Sequence, residues 1–222
     1  MTAATATSPP RITTSRLALI AVGGVVLYLL IDVLLAFLRP DLSLLHRAES
    51  DYGVGPYSWL MDLNFLLRGA LSLALAAALL RVAAGSNRLR VGVAFLAVWG
   101  VGSGILAFFP DDPPGYPVTA AGQVHLAVAF IAFLSAVIGT IVLSVEGRHF
   151  AQLRPLHPWH LVVSVAAVIP LALLGHTQFR PHTLAGLYER AFLALELLWI
   201  LIVGLRLRQT SGIDPGATTD RP

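Results

Sequence analysis

The sequence predicts an all-α, polytopic membrane protein: a bundle of six transmembrane helices with both termini on the cytoplasmic side. Three observations carry that prediction. Of 222 residues, 56% are hydrophobic and only 12% charged, with a mean hydropathy of +0.77, whereas a soluble domain is about 25% charged. Apolar runs of about 20 residues, the length that crosses about 30 Å of hydrocarbon, recur along the chain between short polar connections. The basic residues, all of them arginine, gather on alternate connections.

In chain order, residues 1–16 are Thr/Ala/Pro-rich and predict a disordered cytoplasmic leader. Leu17 to Leu38 is the first span; it is too long for a signal-peptide core, and no small-x-small cleavage site follows it. Arg39 to Tyr57 is a loop of mixed charge, and 58–80 is the second span. A basic connection, 81–90, leads to the third span, 91–109. The prolines of 110–117 forbid a continuous helix there. Spans four, five and six cover 122–145, 159–175 and 184–205, with Pro170 marking a kink in the fifth. Together they make one membrane domain, 17–206, and the Gly/Pro/Thr-rich stretch 207–222 predicts a disordered tail.

Arginine placement sets the orientation. Arg11, Arg16, Arg81, Arg88, Arg90, Arg148, Arg154, Arg206 and Arg208 fall on one side, against Arg39, Arg47 and Arg180 on the other. The first side is therefore cytoplasmic, and a plasma membrane location is expected. Gly100-x-x-x-Gly104 and the small residues of span four predict close helix packing. The Gly100–Gly104 run is no nucleotide loop, because no βαβ unit surrounds it.

Composition excludes several chemistries. The chain has no cysteine, so disulfides, thiolate metal sites and a Cys nucleophile are ruled out. The net charge of +3 comes from arginines scattered at helix ends. No basic stripe with interleaved aromatics is present, so no nucleic acid partner is expected; membrane lipid is the expected partner, and the sequence leaves protein partners open.

The segments Gly55-Pro-Tyr-Ser-Trp-Leu-Met-Asp-Leu-Asn-Phe-Leu-Leu-Arg-Gly69, Phe109-Pro-Asp-Asp-Pro113, Gly122-Gln-Val-His-Leu-Ala127 and Gly186-Leu-Tyr-Glu-Arg190 resemble one family. It is the DUF998 group of prokaryotic six-span membrane proteins, and the likeness runs across nearly the whole chain. The resemblance implies a fold and a membrane location but no activity. A looser likeness, in the outer Gly/Pro loop feeding span two, links the chain to the Frag1/DRAM/Sfk1 six-span proteins and hints at a lipid-linked role.

Polar residues concentrate in the outer halves of the predicted spans. Ionisable groups inside a membrane are costly and face the bundle interior or water. Tyr57, Asp62, Asn64, Arg68, His125, His176, Glu189 and Arg190 are the candidate ligand-binding residues, with Asp32 nearby in span one. Spans two, four and six begin at this level, so their N-termini and Arg68 and Arg190 would suit an anionic head group. Each candidate also has a structural reading. Glu189 and Arg190 would mark the start of span six, His125 would be a packed, hydrogen-bonded residue, and Asp62 would bond nearby backbone. Asp111 and Asp112 read as turn residues, and Tyr57, Trp59, Trp159 and Trp199 as aromatic belt. His149, His157 and His160 read as interfacial on the cytoplasmic side. At about 1.5 Å per residue, Arg68 and Glu196 lie at matching depths, roughly 15 and 18 Å below the outer boundary, which predicts that spans two and six are joined there by an ion pair, direct or through water.

Three function classes follow. The first is lipid or small-amphiphile binding through a pocket open to the extracytoplasmic side. The second is a metal-dependent membrane hydrolase, in which Asp62, His125, His176 and Glu189 would hold a divalent metal, although no H-E-x-x-H spacing is present. The third is a scaffold. A b-type haem between His125 and His176 is not expected, because no second histidine pair exists for transmembrane electron transfer.

Overall fold

The computed structural model describes residues 12–82, 85–112, 115 and 117–210. The predicted disorder of the leader up to residue 11 and of the tail from 211 lies outside the described residues. Six long α-helices make up the described chain: α1 (Thr14–Leu38), α2 (Ser58–Val82), α3 (Asn87–Leu106), α4 (Ala120–Gly147), α5 (Trp159–Thr177) and α6 (Ala185–Thr210). No strand occurs among the described residues. The protein is a polytopic helical membrane protein. Five of the helices are long and apolar enough to cross a membrane. The remaining one, α6, is 26 residues long but carries Glu189, Arg190 and Glu196 in its apolar stretch.

Local signals explain the helix ends. Thr13, Ser86 and Thr119 each cap a helix, their hydroxyls accepting from the backbone N–H groups of Arg16, Leu89 and Gly122, as N-cap side chains do. The first helix therefore begins at Thr14, three residues before the apolar run. Pro170 lies inside α5, and Gln178 closes that helix in the left-handed region at φ 50°.

Each helix packs on the next, and α6 returns against α1 to close a ring. The seam between α4 and α5 has the least contact of the ring. Small residues set the closest approaches. A Cβ on Gly69 would lie 2.8 Å from the Gly100 carbonyl oxygen, and one on Gly139 would lie 3.0 Å from the Leu96 amide nitrogen. Thus α3 is the helix gripped from both sides. Large apolar side chains such as Leu30, Phe37, Phe130 and Ile169 point outward and remain exposed, as a lipid-facing surface requires.

The ring has two ends. The tail face carries the start of α1 and the end of α6. The loop face carries the α1–α2, α3–α4 and α5–α6 connections, and it is here that the polar residues are organised.

Candidate functional site

The α1–α2 connection, residues 39–57, folds over the loop face as a lid. Arg39 ties its two ends together: Nε and Nη2 donate to the Asp41 carboxylate at 2.9–3.2 Å, while Nη1 donates to the carbonyls of Val54 (2.9 Å) and Pro56 (3.2 Å). Asp41 is held below the usual carboxylate range, chiefly by that hydrogen bond from Arg39. A short 3-10 helix, Glu49–Gly53, buries Glu49, Ser50, Asp51 and Tyr52.

The lid docks on the start of α6. The Leu187 amide donates to the Leu45 carbonyl at 3.1 Å. Arg190 donates to the Leu44 and Arg47 carbonyls at 3.0 and 2.8 Å, and its guanidinium lies 5.5 Å from the Tyr52 ring centroid. Gly186 is required here, because a Cβ would fall 2.2 Å from the Arg47 carbonyl oxygen. The Glu49 amide donates to Glu189 Oε2 at 2.8 Å. The side chain of Glu49 reaches across to α1, where it accepts from the Tyr28 hydroxyl.

Two further carboxylates join the lid to α4. Ser50 donates its hydroxyl to Asp111 Oδ2 at 2.6 Å. Asp112 accepts from the Thr119 amide (2.6 Å) and hydroxyl (2.9 Å), so it sits over the N-terminus of α4. Asp51 pairs with Arg47 at 2.6 Å. Its carboxyl is pushed up to about 6, mainly by burial, with Arg47 opposing the shift and Asp111 adding to it. Burial also pushes the Tyr52 phenol up.

Beneath the lid lies a cavity of about 270 Å³, lined by Asp51, Arg68, Asp111, Asp112, His125 and Glu189 among its polar residues. Arg68 is buried on α2. Its Nε donates to Ser103 Oγ at 3.0 Å and its Nη1 to the Tyr28 hydroxyl at 3.2 Å. The guanidinium also lies 5.3 Å from the Phe65 ring centroid. His125 Nδ1 is 2.7 Å from the Phe109 carbonyl; since a carbonyl only accepts, Nδ1 carries a proton and donates it there. The ring meets Phe65 edge-on at 5.8 Å.

A second cavity, about 370 Å³ and almost wholly apolar, lies between α4 and α5, with Phe130, Leu134, Val168 and Leu171 in its walls. The two cavities share Leu126, Ala129, Phe133 and Phe179. A polar chamber and an apolar groove are thus adjacent at the seam where the ring is least tightly closed.

The profile of a family described as a protein of unknown function (DUF998) matches residues 22–206. The chain belongs to the DUF998 family. No curated protein and no solved structure matches it.

In this DUF998 protein, three of the predicted candidates, Arg68, His125 and Glu189, meet at the cavity, and five do not line it. Tyr57 is 45% exposed at the lid's end, with φ 63°. Asp62 is half-buried on α2, Asn64 is buried with neither amide atom bonded, and His176 is exposed on α5. Arg190 clamps the lid by backbone carbonyls instead of facing the chamber.

Two predicted groupings are corrected. Arg68 does not pair with Glu196: it bonds Ser103 and Tyr28, while both Glu196 oxygens are buried without a hydrogen bond. The physical reason is that α2 lies between α1 and α3 and touches α6 only lightly. Equal depth does not make two helices neighbours. The metal set Asp62, His125, His176 and Glu189 does not assemble either, and no group of three or more metal-ligating residues occurs among the described residues. His160, at the start of α5 toward the tail face, is buried between helices, with 1% of its surface exposed.

Sequence reasoning missed Tyr28, Glu49 and Ser103. Tyr28 was a legible signal, being a phenol in the middle of an apolar span. Glu49 was not, because its burial depends on the lid folding back.

Proposed function

We propose that this protein binds a membrane amphiphile, with a phosphate-bearing head group in the polar chamber and its acyl chain in the groove between α4 and α5. The observation that carries this reading is the shared wall of Leu126, Ala129, Phe133 and Phe179. Such a junction places charge beside hydrocarbon, which suits a lipid better than a fully polar or fully apolar ligand. Together the cavities fall within the range of about 300–1,000 Å³ usual for small-molecule sites.

Arg68 supplies the deep cation, already braced by Ser103 and Tyr28 and so preorganised for a phosphate oxygen. The carboxylates nearer the lid favour amine or hydroxyl groups on the same head. The protein sits in the plasma membrane with six spans. The arginine asymmetry puts the tail face in the cytoplasm and the chamber on the extracytoplasmic side.

Native mass spectrometry of the protein, gently extracted from its own membrane, tests the reading. A retained phospholipid is expected, lost in Arg68→Met and in Ala129→Trp, which blocks the shared wall. Undiminished lipid in both folded variants would refute the assignment, and a bare polypeptide mass would favour the scaffold reading.

A further inference from the structure

The charges on the chamber wall narrow which amphiphile fits, a step that rests on the amphiphile binding proposed above. Arg68 is the one arginine lining the chamber, whereas Asp51, Asp111, Asp112 and Glu189 all line it. A head group carrying only negative charge would meet attraction at Arg68 and repulsion from the acids around it.

Two of the four acids are satisfied by the protein itself. Asp112 accepts from the Thr119 amide and hydroxyl, at a helix N-terminus that favours negative charge. Asp111 accepts from the Ser50 hydroxyl through Oδ2 at 2.6 Å and from the Asp112 amide through Oδ1 at 2.8 Å.

The other two are not. Asp51, on the lid, is 2% exposed; Arg47 pairs with Oδ2, and no hydrogen bond reaches Oδ1. Glu189, on α6, is 5% exposed. The Glu49 amide occupies its Oε2, and among the described residues no hydrogen bond reaches Oε1. Arg190 is next in the chain, but its Nη1 serves the carbonyls of Leu44, Arg47 and Gly186, and it forms no ion pair with Glu189. The nearby Glu49 carboxylate adds negative charge. A buried carboxylate with an idle oxygen is costly unless a donor or cation meets it. Here two idle oxygens, one from the lid and one from α6, belong to the walls of one cavity.

We infer that Asp51 and Glu189 form a subsite for a primary ammonium group, so that the ligand is a zwitterionic amphiphile of the phosphoethanolamine type. Arg68 takes its phosphate and the two carboxylates take its amine. A primary ammonium brings three N–H donors and a compact positive charge, matching acceptors that lack both. A hydroxyl-bearing head would supply donors but leave the negative charge uncompensated. A quaternary ammonium has no N–H to give and seeks aromatic faces instead. The Phe65 ring is already shared by Arg68 and His125, and the Tyr52 ring is taken by Arg190.

Competition among lipids tests this. The full chain, stripped of lipid in detergent, is offered equal amounts of phosphatidylethanolamine, phosphatidylglycerol and phosphatidylcholine with matched acyl chains, and native mass spectrometry counts what it retains. Phosphatidylethanolamine should be retained at least about tenfold over each of the others, the effect of one charge-assisted hydrogen bond. Glu189→Gln and Asp51→Asn should each bring that ratio toward one. N-methylated phosphatidylethanolamines, which keep the charge while losing donors, should fall off stepwise on the wild-type chain, a readout that needs no variant to fold. Equal retention of phosphatidylethanolamine and phosphatidylglycerol would overturn the ammonium subsite while leaving amphiphile binding in place. An undiminished preference in both folded variants would overturn the assignment to Asp51 and Glu189. Retention of none of the three lipids would overturn the subsite and the amphiphile reading together.

Discussion

Arg68 is a guanidinium with 1% of its surface exposed, held by Ser103, by the Tyr28 hydroxyl and against the Phe65 ring. Its neighbours are neutral groups, so the cation is braced but left available on the chamber side. Glu196, at a similar depth, makes no bond to it. Two buried groups without a shared partner contribute independently to stability. The losses from Arg68→Met and Glu196→Leu should therefore add to within about 0.5 kcal/mol in a double-mutant cycle of detergent unfolding. A coupling of several kcal/mol would mean the two charges meet after all.

At the scale of the element, the lid is held by side chains gripping backbone: Arg39 on Val54 and Pro56, Arg190 on Leu44 and Arg47, Glu189 on the Glu49 amide. This grip makes a 19-residue connection rigid without regular structure beyond one 3-10 turn. The titrating part of the lid is Asp51, whose carboxyl moves from an ordinary 3.8 to about 6 on burial. A raised carboxyl means that the folded lid prefers the protonated acid. The associated stability is complete below about pH 4 and is lost as pH rises through about 6. The shift corresponds to about 3 kcal/mol at most, at about 1.4 kcal/mol per pKa unit. Amide hydrogen exchange in residues 44–54 should accordingly quicken between pH 4 and 7 by more than the intrinsic rate. Asp51→Asn should flatten that excess; an unchanged slope in this variant would assign the titration to another group.

For the whole molecule, the ring depends on how closely α3 approaches its neighbours. Gly69 and Gly104 both look like packing glycines, yet their surroundings differ. A Cβ on Gly69 would press the Gly100 carbonyl at 2.8 Å, whereas one on Gly104 would meet nothing within 4 Å. Gly69→Ala should therefore lower stability by about 1–3 kcal/mol, the usual effect of overpacking. Gly104→Ala should be neutral or slightly stabilising, since alanine is the better helix former. Thermal unfolding of the two variants in one detergent compares them directly. Equal losses would show that the α2–α3 crossing is not set by Gly69.

Hydropathy and the rise of a helix were enough to determine a helical membrane bundle, the approximate place of each helix and the depth of Arg68, His125, Glu189 and Glu196 along it. Both are one-dimensional properties, counted in residues from a boundary. Which of those residues meet is a matter of azimuth and of helix order around the ring, and no count along the chain contains it. Packing alone separated Arg68 from Glu196, turned Arg190 onto the lid, sent His176 to the surface and buried His160. Packing also brought Glu49, from a loop that reads as solvent-exposed, between Tyr28 and Glu189. A lid folds back only when a glycine such as Gly186 leaves room for its backbone, and that fit exists only in three dimensions.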